Sequence, residues 1–189
     1  MLALLSLVSP LSAADLPLFN GSFEEGFEEG TKINNWIVVP GPEGGWARHS
    51  ATTGNLAPVE GSTLLFTNGP AAAVAQLIKD APITPGKYLF SMQAAFPENV
   101  SARSVQIAVY AIPTAADEEP KYTLLGEKSA SPSELTASWQ TLEVPITIPE
   151  GSPLIGHFFQ INFTSGVTLP NATLPAQVDV DDVKAQRLE

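Results

Sequence analysis

Apolar side chains recur along this chain at alternate positions, in short runs closed by Pro, Gly, Asn or Ser. In Lys87-Tyr88-Leu89-Phe90-Ser91-Met92-Gln93-Ala94-Ala95 the side chains of Tyr88, Phe90 and Met92 share one face, because successive Cβ atoms of a strand point to opposite sides. Ser104 to Tyr110 alternates in the same way, with Val105, Ile107 and Val109 on one face. Trp139 to Val144, Ile146 to Ile148, Phe158 to Phe163 and Gln177 to Val183 read as further strands. Trp36 to Val39 stops at Pro40-Gly41-Pro42, and Thr63 to Phe66 at Asn68-Gly69-Pro70; both closures break regular structure. Ala71 to Ile78 is rich in helix-favouring alanine. It is nevertheless short, uncapped and set between Pro70 and Pro82, so Val74 to Ile78 is expected as strand. About eight short strands at this spacing predict an all-β, two-sheet antiparallel sandwich.

Composition narrows the function classes. The 189 residues fit one domain with a substantial core, and 44% hydrophobic against 15% charged residues excludes charge-driven disorder. Nine basic residues against twenty acidic ones give a net charge of −11. Such a surface repels nucleic acid and anionic membranes, which need clustered Lys and Arg to displace counterions. It suits a neutral partner such as a glycan, or a cation. There are no cysteines, which removes disulfides, thiol catalysis and thiolate metal sites.

At the N-terminus, Leu2 to Val8 is apolar, and Leu11-Ser12-Ala13-Ala14 resembles a small-residue cleavage site before Asp15. Residues 1–14 therefore read as the remainder of a signal peptide without its positive n-region, and residues 15–189 as a single exported domain, secreted or held at the cell surface or in the periplasm. The apolar run is too short to span a membrane, and no other approaches that length.

Four segments in order carry a family resemblance. Asn20-Gly21-Ser22-Phe23-Glu24 resembles the N-G-x-F-E opening of calcium-bearing carbohydrate-binding modules with a β-jelly-roll, galactose-binding-like fold, and Trp36 follows as a Trp does there. Pro85-Gly86-Lys87-Tyr88-Leu89-Phe90, Trp139-Gln140-Thr141-Leu142-Glu143-Val144-Pro145 and Val180-Asp181-Asp182-Val183 match the later strands. The match covers roughly residues 16 to 188. It implies a jelly-roll with a structural Ca²⁺ joining first and last strands, held by Glu24 and Asp181 with Asp182 and the carbonyl of Ser22 as further ligands. Hard oxygen donors of this kind suit Ca²⁺. The bland alternative is that these carboxylates are solvated strand ends.

The resemblance also implies an exported, non-catalytic module that binds a polysaccharide or glycoconjugate. Sugar sites combine aromatic rings with amides and carboxylates. Trp36 and Trp139 fall at family positions that pack the core. Trp46, after Gly44-Gly45 and before Arg48 and His49, is the ligand-contact candidate, with burial at a sheet edge as its alternative; Arg48, Gln93 and Tyr110 support it, and Asn68 more weakly. Aromatics are sparse on the strands expected to form the concave face. That leaves two other readings: an envelope module that binds a partner protein rather than sugar, or an enzyme similar to the calcium-dependent cyclases of indole–terpenoid intermediates, with an acid from Asp179 to Asp182 as proton donor.

No other catalytic pattern is present. His49 and His157 are the only histidines, there is no Gly-x-Ser-x-Gly elbow, and no phosphate-cradling glycine loop. Asn20, Asn99, Asn162 and Asn171 begin Asn-x-Ser/Thr sequons, which a β protein rich in Ser and Thr carries by chance.

Overall fold

The computed structural model describes residues 13–25, 27–28, 32–39, 46–50, 56–67, 69–98, 100–114, 122–168 and 176–188. Asn68, Asn99, Asn171, Gly44, Gly45 and the apolar run Leu2 to Val8 lie outside the described residues.

Thirteen strands are described: β1 (Ala13–Asp15), β2 (Phe27–Glu28), β3 (Lys32–Ile33), β4 (Ile37–Val39), β5 (Ala47–Ser50), β6 (Thr63–Thr67), β7 (Ala73–Pro82), β8 (Gly86–Ala95), β9 (Ser101–Ile112), β10 (Thr123–Ala130), β11 (Gln140–Ile148), β12 (Phe158–Thr168) and β13 (Ala176–Leu188). They form an all-β sandwich. One sheet runs β11-β8-β13-β6-β5, with β1 pairing along the end of β13; the other runs β10-β9-β12-β7-β4. The two meet at one corner, where Ala176 and Gln177 pair in parallel with Ser101 and Ala102. β2 and β3 form a separate two-stranded ribbon.

The period-2 pattern decides what faces inward. Tyr88, Phe90 and Met92 are buried, as are Val105, Ile107 and Val109, and Leu142, Val144, Ile146 and Ile148. Two aromatic groups fill the space between the sheets. Phe23, Trp36 and Trp46 surround Phe163, with centroids 5.2–6.1 Å from it. Tyr88 and Phe90 pack edge-on against Phe159. Edge-to-face contacts suit the ring quadrupole and add to the area buried.

The alanine-rich stretch is strand, as its flanking prolines suggest, and extends to Pro82. Trp139 to Val144 and Ile146 to Ile148 join into one strand across Pro145. Among the described strands β11 lies at an edge and pairs only with β8, a position where the missing proline N–H costs no ladder bond. β10 shows no apolar alternation because Ala130 is the one buried residue of its eight, and its register also slips between Leu124 and Gly126. A Cβ at Gly126 would come 2.9 Å from both Ile146 and Val144, so the absence of a side chain lets β10 close against β11.

Candidate functional site

The outer face of the β10-β9-β12-β7-β4 sheet carries a groove whose floor and walls follow from the register. Because Val74 points into the core, Ala73, Ala75 and Leu77 of β7 point outward. Ala75 lies between Ile37 of β4 and Asn162 of β12, and Ala73 between Val39 and Thr164. Asn162 in turn faces Ala108 of β9, while Gln160 faces Tyr110, which pairs with Leu124 of β10. Small side chains therefore make the floor (Ala73, Ala75) and larger ones the walls. Ile37 and Val39, 61% and 52% exposed, stand on one side. Tyr110 and Tyr122 stand on the other and enclose with them a cavity of about 450 Å³.

The polar groups in the groove are few and preoriented. Gln160 Nε2 donates to Asn162 Oδ1 at 2.9 Å, fixing both amides on the floor. Beyond them Gln106 Nε2 donates to Glu127 Oε2 at 3.1 Å. The rings of Tyr110 and Tyr122 meet at 88° with centroids 6.1 Å apart, so they offer two perpendicular platforms. Tyr122 is 55% exposed.

The chain shares this sandwich with two groups of solved structures. Stig cyclase Fisc from Fischerella sp. TAU superposes with a TM-score of 0.69 at 16% identity, covering 93% of this chain and 98% of that one. The CBM22-1 and CBM22-2 xylan-binding domains of Paenibacillus barcinonensis Xyn10C give TM-scores of 0.51 and 0.52 at 14% and 13% identity, covering 89% and 93% of this chain and 92% and 98% of theirs. At these identities the likeness establishes the jelly-roll fold. No family model and no curated protein matches the sequence.

The four ligand residues expected from sequence do not converge. Trp46 is fully buried: its Nε1 donates to the Ala72 carbonyl at 2.9 Å and its ring sits edge-on against Phe163. It is a core residue, which corrects the expectation of a ligand contact. Arg48 lies on β5 opposite Leu65, in the other sheet. Gln93 is also in that sheet, on β8, where its amide bonds Thr141 across to β11. Tyr110 alone of the four lines the groove. Trp139 also departs from expectation, since it is only half-buried and ties the 56–60 segment down through Nε1 to the Ala57 carbonyl at 2.7 Å. Trp36 packs in the core as expected.

Gln160 and Asn162 had a sequence signal, as polar residues alternating with buried Phe159, Ile161 and Phe163. Tyr122 and the outward setting of Ile37 and Val39 had none, because a continuous apolar run does not say which face is wet.

A second cluster lies where the chain's two ends approach. Glu24 accepts from the Ser62 and Thr63 backbone N–H groups at 2.9 and 2.7 Å and from both hydroxyls. Burial pushes its carboxyl up, and these bonds from Thr63 and Ser62 outweigh it to hold the pKa below the ordinary value. Gly61 makes the approach possible, since a Cβ there would come 2.4 Å from Glu24 Cδ. Asp181 Oδ2 accepts from Val59 and Glu60 N–H at 2.7 and 3.3 Å, and Oδ1 from Asp182 N–H. Burial pushes this carboxyl up to about 6 despite those donors.

For a hard cation, Glu24 and Asp181 supply suitable oxygens. Asp182 fits less well, because its Oδ2 is engaged by Lys184 Nζ at 2.7 Å, and Ser22 adds only backbone. Among the described residues no three carboxylate or imidazole side chains gather at one point.

Asp179 completes the inventory. It is fully buried, its Oδ1 accepts from Gln177, and its Oδ2 has no partner among the described residues. Burial pushes its carboxyl up to about 7, against the pull of the Gln177 bond.

Proposed function

We propose that this protein is a non-catalytic module that binds a neutral polysaccharide in the groove of the β10-β9-β12-β7-β4 sheet. The observation that carries the reading is the pairing of two tyrosine platforms with the fixed amides of Gln160 and Asn162 over an alanine floor. Tyrosine rings remove the apolar faces of sugars from water, and amides exchange hydrogen bonds with their hydroxyls. The net charge of −11 favours uncharged chains over uronic-acid polymers. The fold shared with xylan-binding domains supports the class and makes xylan the first ligand to try. Calorimetric titration of xylan, β-glucan and mannan tests it. Binding of one of them, weakened about tenfold or more by Tyr122→Ala, is expected; no binding to any neutral glycan would return the choice to an envelope module with a protein partner.

A second reading rests on Asp179. A carboxyl kept protonated near neutrality can donate a proton, the step an acid-catalysed cyclisation needs. The shared fold with Stig cyclases supports it. Turnover of an indole–terpenoid substrate, abolished by Asp179→Asn, is the corresponding test.

A structural Ca²⁺ between Glu24 and Asp181, completed by backbone carbonyls, belongs to the same proposal, as does export of the domain after residue 14. Bound there, the ion would add a link between the first and last segments to those made by β1–β13 pairing and through residues 59–63.

A further inference from the structure

A second hollow, of about 460 Å³, adjoins the groove on the β4–β7 side. Ile37 borders both, and Leu77 of the hollow pairs across the ladder with Gln160 of the groove, so the two are continuous across these neighbours. The hollow is the more polar of the two. Around the Phe19 ring, 49% exposed, stand the Asn35 amide, the Lys79 ammonium and the Asp80 carboxylate. These three side chains are exposed, and none bonds or ion-pairs with another described residue. Their donors and acceptors are therefore held only by water. A ring beside uncommitted polar groups repeats the make-up of the groove, where Tyr110 and Tyr122 accompany Gln160 and Asn162. Both halves offer a sugar what it needs: a platform for its apolar face and partners for its hydroxyls.

The hollow is also fixed in place. Buried Gln76 accepts from the Phe19 N–H at 2.7 Å and donates to the Phe19 carbonyl at 2.8 Å, so its amide holds the Phe19 backbone rather than a ligand. Asn20 ties this segment to the opposite rim. Its Nδ2 donates to the Asn34 carbonyl at 3.1 Å, and its own carbonyl accepts from Trp36 Nε1 at 3.0 Å. Asn35 lies between those two anchors with a left-handed φ of 69°, which asparagine adopts more readily than most residues. From β7, Leu77 and Lys79 reach the hollow by the same period of two that turns Ala73 and Ala75 outward.

We infer that the Phe19 hollow is a second sugar subsite, so that one polysaccharide chain lies over Tyr110 and Tyr122 in the groove, passes Ile37, and meets Phe19, Asn35, Lys79 and Asp80 beyond it. This rests on the polysaccharide reading above and extends it. The two cavities are nearly equal, about 450 and 460 Å³, so a ligand that fills the groove alone leaves as much space unoccupied as it takes up. Lys79 and Asp80 cancel in charge, and a hydroxyl both donates and accepts, so the subsite suits the same neutral chain as the groove.

The test titrates xylobiose and xylohexaose, with the corresponding β-1,4-gluco- and manno-oligosaccharides, into the full chain and into Phe19→Ala and Phe19→Tyr. The hexasaccharide of the recognised sugar is expected to bind at least about tenfold more tightly than its disaccharide. Phe19→Ala should weaken the hexasaccharide about tenfold, as loss of an aromatic anchor does, and leave the disaccharide within about twofold. Phe19→Tyr keeps the ring and should keep the gap. A longer ligand also has more registers in which to bind, but that advantage is the same in every variant. Because Gln76 holds the Phe19 backbone, the truncation spares the clamp, and a thermal melt checks that the variant is folded. Equal affinity for the two lengths overturns the second subsite and leaves polysaccharide binding standing. So does a gap unchanged in Phe19→Ala, or equal loss for both lengths, since Phe19 then lies outside the longer ligand's added contacts. Failure of every oligosaccharide, together with the three polymers of the first test, overturns the polysaccharide reading and this inference with it.

Discussion

Glu24 and Asp181, from opposite ends of the chain, grip the same short segment: Glu24 accepts the N–H groups of Ser62 and Thr63, and Asp181 those of Val59 and Glu60. The segment after β1 and the last strand are thus joined through residues 59–63, in a protein that has no cysteine for the purpose. Val183 N–H also donates to the Gly21 carbonyl at 3.0 Å, so the two ends are in direct backbone contact as well.

Removing either carboxylate leaves backbone donors without acceptors. Asp181 is fully buried, and Asp181→Ala strands the amides of Val59 and Glu60. A loss of about 2–4 kcal/mol is expected in urea unfolding, since hydrogen bonds to charged groups contribute about 1.5–3 kcal/mol each and lost partners add a penalty. Glu24→Ala should cost less, about 1–2 kcal/mol, because water can reach the amides of the exposed Ser62. A larger cost for Glu24→Ala than for Asp181→Ala would show that the segment is held mainly from the N-terminal side.

Calcium should raise the melting temperature of the wild-type domain and not that of Glu24→Ala. Binding to the native state alone stabilises by about 2.7 kcal/mol at a free ion concentration 100 times the dissociation constant. The comparison is a melt in EDTA against one in millimolar Ca²⁺. Identical wild-type melts would mean that no ion adds to the protein's own contacts between the two ends.

Much of this architecture was legible because the buried faces alternate. Tyr88, Phe90 and Met92 and the valines of β9 identify their strands unaided, and the prolines around Ala71 to Ile78 override the helix preference of alanine. The site was less legible. Trp46 attracts attention beside glycines and charged neighbours, yet its ring fills the space around Phe163. Tyr122 lies outside any alternating run, and it borders the groove only because Leu124 beside it pairs with Tyr110 in a strand whose register slips. A binding face assembled from four or five strands depends on strand order, which local pattern does not encode.

Trp46 and Tyr122 separate stability from binding. Trp46→Ala empties a fully buried site, and large aromatic truncations in cores cost about 3–5 kcal/mol. Any glycan affinity of the folded fraction should stay within about twofold of wild type. Tyr122→Ala should leave stability within about 0.5 kcal/mol, as exposed positions do, while weakening glycan binding about tenfold, by analogy with aromatic anchors at other interfaces. Paired urea unfolding and calorimetry on the two variants checks both halves. A Tyr122→Ala protein that binds like wild type would move the site off this groove.

Stability should peak in mildly acid solution and fall toward neutral pH. The sign follows from which state holds the proton. Asp179 is raised from 3.8 to about 7 in the folded protein and Asp181 from 3.8 to about 6, both by burial, so between those limits the native state binds more protons than the unfolded chain. Stability then declines as pH rises through this window. For Asp179 the span corresponds to at most about 4 kcal/mol, at ~1.4 kcal/mol per pH unit. Glu24 acts in the opposite sense: its lowered pKa contributes stability above its ordinary value near 4.5 that is lost as pH falls further. Urea unfolding in EDTA at about pH 3, 4.5, 6 and 8 should therefore give its highest midpoint near pH 4.5. Asp179→Asn cannot ionise, so it should lose most of the decline between about pH 4.5 and 8 and exceed the wild type in stability at the upper end. If the wild-type midpoint is flat over that range, Asp179 is charged and solvated in the folded state, and the proton-donor reading of this residue falls with it.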